Sequence, residues 1–102
     1  MRYYVLVTSH AYEYPEVNDP EVFTDRVLAV DAWRKEVLDA AGYPDDPDSV
    51  DPETIVDVGQ AADEFLLDVE KKTVGWIVNN DCSVEEMAHV QLFAVEAACP
   101  QN

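Results

Sequence analysis

The sequence predicts an α+β fold: a small antiparallel sheet of about three strands packed against two helices, in the order β-α-α-β-β. Three observations carry this. The segment after Met1, "RYYVLVTS", is built from β-branched and aromatic residues in strand style. Two stretches, "DPEVFTD" from Asp19 and "DPETIVD" from Asp51, each open an apolar pattern at helical spacing. A second strand-like run, "TVGWIVNN", begins at Thr73. The chain has 102 residues and is 48% hydrophobic, which fits a single domain over 1–102. A domain of this size buries roughly 60–70% of its unfolded surface.

The first strand is expected over 2–9, with a bent continuation through Tyr12 and Tyr14. Tyr4, Leu6 and Thr8 share one face, and Tyr3, Val5 and Val7 the other. The crowding of Tyr3, Tyr4, Tyr12 and Tyr14 reads first as sheet packing and second as an interface anchor. Asp19, Pro20 and Glu21 read as the N-cap, first position and first turn of a helix over 20–41. Phe23, Val27, Val30, Val37 and Ala41 form its stripe, with Trp33 beside them; Gly42 and Pro44 stop it. A hairpin through "RVLAVD" alternates less well. Asp51, Pro52 and Glu53 repeat the start signal for a helix over 52–70, with Ile55, Val58, Ala62, Phe65, Leu66 and Val69 on its buried face. Gly59 weakens that helix by roughly 1 kcal/mol.

The C-terminal part has two readings. "SVEE" from Ser83 is a capping box, which favours a helix with Val84, Met87, Ala88, Leu92 and Val95 inward. "HVQLFAV" reads equally well as a strand. One helical turn followed by a strand is the preferred reading.

Charge is the dominant feature. The net charge is −16, with 22 acidic residues against six Lys and Arg. Residues 36–70 hold twelve of those acids and no Lys or Arg, where an even spread would place about 7.5. This balance argues against direct binding to nucleic acid, which needs basic residues to displace counterions, and against anionic membrane surfaces. It favours a basic partner, or a saline solvent. No stretch approaches the 18 apolar residues of a membrane span, and "YYVLV" is too short for a signal-peptide core. Two Cys do not make a disulfide framework, so free thiols in a reducing, cytoplasmic compartment are expected.

Motifs for chemistry are absent. There is no G-x-S-x-G, P-loop or G-x-G-x-x-G, and the chain has only three Gly. His10, His89, Cys82 and Cys99 lack zinc spacing. Asp45, Asp46, Asp48 and Asp51 crowd one loop, but Val50 stands where an EF-hand pattern needs a third ligand. The expectation is a protein that is not an enzyme and uses no metal or cofactor.

On the helix from Asp51, Glu53, Asp57, Glu64 and Asp68 fall opposite the apolar stripe. Carboxylates one turn apart lie roughly 6 Å from each other, comparable with phosphates along a strand. Asp39, Asp45, Asp46 and Asp48 extend the row through the preceding helix end and loop. In general character the chain resembles small phage-encoded DNA-mimic proteins: short, acidic, folded and without an active-site motif. That resemblance implies an inhibitor, such as an anti-CRISPR or anti-restriction protein in the host cytoplasm. It would occlude the basic groove of a nucleic-acid-binding protein or complex. The resemblance lies in composition and assigns no role to any position. Two alternatives remain open: a salt-adapted globular protein of unrelated function, and an immunity or antitoxin protein that binds a basic toxin.

Overall fold

The structure, a computed structural model, describes residues 2–11, 16–17, 19–41, 50–79 and 87–96. Its longest pairing joins β1 (Arg2–Ala11) to β5 (Met87–Glu96), antiparallel, from Arg2 opposite Glu96 to Ala11 opposite Met87. β4 (Thr73–Asn79) pairs antiparallel on the other side of β5. Two short strands, β2 (Glu16–Val17) and β3 (Glu21–Phe23), lie end to end along the free side of β1. The two helices are α1 (Arg26–Ala41) and α2 (Pro52–Leu67). The predicted class and order hold: a small antiparallel sheet with helices, β-α-α-β-β, extended by the two edge strands.

Strand alternation decides which side is core. Tyr4, Leu6 and Thr8 of β1, Val78 of β4, and Ala88, Val90 and Leu92 of β5 are buried beneath the helices. Ala29, Val30, Trp33 and Val37 of α1 and Val58, Ala62 and Phe65 of α2 meet them. Trp33 is fully buried, and its indole N–H donates to the Val90 carbonyl oxygen at 3.1 Å. That bond satisfies the one polar atom a buried tryptophan brings with it.

The first helix does not start where the sequence predicts. Asp19 and Pro20 are irregular, and Glu21–Phe23 is extended, pairing Phe23 with Tyr4 and Val22 with Val5. The helix begins at Arg26, and the cap is Asp25. Its Oδ1 accepts from the N–H groups of Val27 (2.8 Å) and Leu28 (3.3 Å), and its carbonyl accepts from Ala29. The free edge of β1 offers Val22 and Phe23 a ladder, and both residue types suit a strand. Val27 lies off the buried face of Ala29, Val30, Trp33 and Val37 and is 54% exposed, while Phe23 still packs against the core from the sheet.

α2 starts as expected. Asp51 is its N-cap, accepting from Glu53 N–H at 2.9 Å, and Pro52 opens the first turn. It ends at Leu67 rather than at residue 70, because Asp68 adopts an extended backbone (φ −105, ψ 95) as the C-cap. Ile55 and Val69, assigned to the buried stripe, are 47% and 55% exposed.

The C-terminal ambiguity resolves to strand over 87–96. Ala88 and Leu92 are buried, but Val95, inward in the helical reading, is 44% exposed on the far side of the sheet. The capping box at Ser83–Glu86, the stop at Gly42 and Pro44, and Tyr12 and Tyr14 lie outside the described residues.

One cation locks the layers together. Arg26 lies half-buried at the start of α1. Its Nε donates to Phe65 O at 3.0 Å, and its Nη2 donates to Phe65 O and, at 2.8 Å, to Asp68 O. The guanidinium stacks 4.0 Å from the Phe65 ring centroid and 5.6 Å from that of Tyr4. α2 has no basic residue in its own last turn, so Arg26 supplies the charge that its C-terminal carbonyls attract.

Two outcomes in urea denaturation follow. Asp25→Ala should cost about 1 kcal/mol, the usual loss of an N-cap, while Asp19→Ala should change stability by a few tenths at most. Arg26→Gln should cost about 2–3 kcal/mol through lost charge-assisted hydrogen bonds and ring stacking.

Candidate partner-binding surface

α2 turns Val58, Ala62 and Phe65 to the core, so the opposite side of the helix is acidic. Glu53, Asp57 and Glu64 are exposed on it, and Asp68 is exposed just beyond its end. Asp39 is exposed near the end of α1. Asp45, Asp46 and Asp48 lie outside the described residues.

The row is not uniform in space. At its C-terminal end, positive charge returns from elsewhere in the chain. Lys71 Nζ lies 3.4 Å from Glu64 Oε2, a pair of exposed side chains that contributes about 0–1 kcal/mol. Arg26 occupies the Asp68 carbonyl, and the Asp68 carboxylate accepts from the Glu70 N–H at 3.0 Å. Asp68 is therefore engaged in the turn that closes α2. Arg34 similarly sits 3.6 Å from Asp31 on α1.

The N-terminal end differs. Among the described residues, Glu53 and Asp57 meet no Lys, Arg or His, and they are one helical turn apart on the same side. They flank a shallow depression of about 300 Å³ lined by Pro52, Glu53, Val56 and Asp57. Val56 is 57% exposed. Two carboxylates beside an apolar floor match the long stem and cationic head of Lys or Arg. The depression thus holds a feature that charge counting alone passes over, the exposed Val56. Its signal in the sequence is an apolar residue two positions before buried Val58, off the buried stripe. Asp63 and the 85% exposed Leu67 also belong to the outer side of α2 and fall outside the predicted row.

Compared with family models, curated proteins and solved structures, the chain matches none. No helix among the described residues is long and apolar enough to cross a membrane. No three His, Cys, Asp or Glu side chains among them converge as a metal site. Of the four soft ligands noted in the sequence, Cys82 and Cys99 lie outside the described residues, and only His89 has a described side chain.

Among the described residues, no helix covers the other side of the sheet. Across it run Val22, Val5, Phe93 and Thr73 in one register row, with Tyr3 opposite Val95 on one side. Gln91 lies between Val7 and Gly75, and His89 between Ser9 and Ile77. Tyr4 takes the packing role expected of the tyrosines, while Tyr3 is half-buried on this uncovered side.

Proposed function

We propose that this protein is an acidic inhibitor that fills the basic groove of a nucleic-acid-handling enzyme or complex, with the start of α2 leading the contact. The role would be of the anti-defence kind, anti-CRISPR or anti-restriction, and would need no catalysis. The observation that carries the reading is the unpaired couple Glu53 and Asp57 beside the apolar floor of Pro52 and Val56. Side chains one turn apart on a helix stand roughly 6 Å from each other, close to the spacing of phosphates on a strand. A groove that holds phosphates presents Lys and Arg at similar intervals, and their stems would lie on Val56. A net charge of −16 steers such a partner from a distance and repels nucleic acid itself.

The C-terminal end of α2 contributes less in this scheme, because Glu64 shares Lys71 and Asp68 closes the turn. The contact centres on Glu53 and Asp57, and Asp39 and Glu64 belong to its periphery.

The test is inhibition of a panel of purified nucleases, restriction enzymes and CRISPR effectors at increasing salt. Inhibition of at least one target should weaken steeply with ionic strength. Glu53→Lys with Asp57→Lys should weaken it about a hundredfold, roughly a factor of ten for each reversed charge. Glu64→Lys should cost less than either. A double variant that inhibits as strongly as the parent would remove this surface from the mechanism. A chain that folds cooperatively only in molar KCl would instead favour acidity as adaptation to salt.

A further inference from the structure

We propose that the uncovered face of the sheet docks a second copy of this chain, forming a face-to-face dimer with the helices of both copies outside. This inference stands apart from the inhibitor reading, because it uses the opposite side of the molecule.

The first observation is charge. β1, β3, β4 and β5 place twelve residues with described side chains on the uncovered face, and none is Asp, Glu, Lys or Arg. In a chain that is 27% charged, about three charged residues would fall there by composition. The second is apolar exposure. Val22 is 61% exposed, Val95 44% and Phe93 36%, and the register joins them through Val5 and Tyr3 into one patch; Ile77, 58% exposed, lies beyond the Gln91–Gly75 row on the same face. Contiguous apolar surface of this kind marks an interaction site.

Area and electrostatics admit a copy of the same acidic chain. β1 and β5 pair over ten residues and β4 over seven. With strands about 4.8 Å apart and a rise of about 3.3 Å per residue, the face covers about 500 Å². Two such faces bury about 1,000 Å², the area at which specific interfaces begin. Stacked sheets stand about 10 Å apart. With helices about 10 Å thick outside each sheet, the acidic surfaces lie about 30 Å apart. That is several Debye lengths at physiological salt, where one is about 8 Å, so the two acidic layers scarcely repel. Pairing through the helix layers would instead press the two rows of carboxylates together.

The centre of the face favours a twin over an unlike partner. Gln91 is exposed there, and its stem lies across Gly75, where a Cβ would come within 3.3 Å of Gln91 Cγ. A primary amide carries both donors and an acceptor. Across a two-fold axis, each Gln91 amide can donate to the oxygen of its mate, so the amide at the centre of the face is satisfied by a second copy, with Ser9 and His89 one row further out. An unlike partner drawn by the net charge would be steered to the helix side.

Sedimentation velocity of the full chain, from micromolar to several hundred micromolar and at low and high KCl, tests this. The expected result is a dimer that holds or tightens as salt rises, opposite to the salt response of binding through α2. Gln91→Glu, nearly isosteric, should raise the dimer dissociation constant at least about tenfold by facing two carboxylates across the axis. Gln60→Glu adds the same charge on the exposed side of α2 and should leave the constant within about twofold. If Gln91→Glu loses its fold by circular dichroism, Ile77→Lys supplies the same test at another exposed position of the face. A parent chain that stays monomeric throughout overturns the proposal. Equal dimerisation of the parent and the face variants also overturns it, because the dimer would then form elsewhere.

Discussion

The arrangement of layers hangs on one guanidinium. Arg26 is the first residue of α1, yet its hydrogen bonds go to the last carbonyls of α2, and its plane rests on Phe65 with Tyr4 of β1 nearby. The positive start of one helix is thereby held against the negative end of the other, an arrangement that both dipoles favour. Trp33 adds the second tie, from α1 to the Val90 carbonyl in the middle of the sheet. These contacts join residues 39 and 57 positions apart, so they fix how the elements pack rather than whether each element forms. In a chain with six Lys and Arg, placing one of them half-buried at the junction of two helices and a strand is a structural use of a scarce cation.

Most of the element types were legible because local signals and burial agree. "RYYVLVTS" alternates cleanly into two faces, and the structure buries one of them, Tyr4, Leu6 and Thr8. The two "DPE" heptads show where local reading stops. Both carry Asp, Pro and Glu in order, both end in Asp, and both precede an apolar helical pattern. One begins a helix with its first Asp, and the other begins one with its last. The difference lies outside the heptads: β1 has a free edge where Val22 and Phe23 can pair, and no strand edge receives Ile55 and Val56. The segment Met87–Glu96 was ambiguous for the same reason. It becomes a strand because β1 pairs with it along its whole length and β4 pairs with it from Met87 to Phe93.

The candidate surface was legible in outline only. Charge counting locates the acidic side of α2 but cannot show that the long acidic run ceases to be purely acidic once folded. Lys71 turns back to Glu64, and Arg26 arrives from a residue 42 positions away to sit over Asp68. Among the described residues Glu53, Asp57 and Asp63 keep no Lys, Arg or His partner, and the first two border a depression shared with Pro52 and Val56. The acids thus differ in role: Asp25 and Asp51 cap helices, Asp68 shapes a turn, and Glu53 and Asp57 face outward without such a task.

β4 gives the charge a further meaning. Among the described residues it pairs only with β5, so its other edge presents unpaired backbone groups along a run rich in Val, Ile and Trp. Such an edge is a template for strand addition, and Lys71 and Lys72 stand at only one end of it. Mutual repulsion between highly charged molecules keeps these edges from meeting at neutral pH. The isoelectric point is about 4.1, and near it the repulsion vanishes while the edge persists. Mild acid therefore exposes this chain to fibrillar or amorphous self-assembly, and at neutral pH its acidity acts as a colloidal shield.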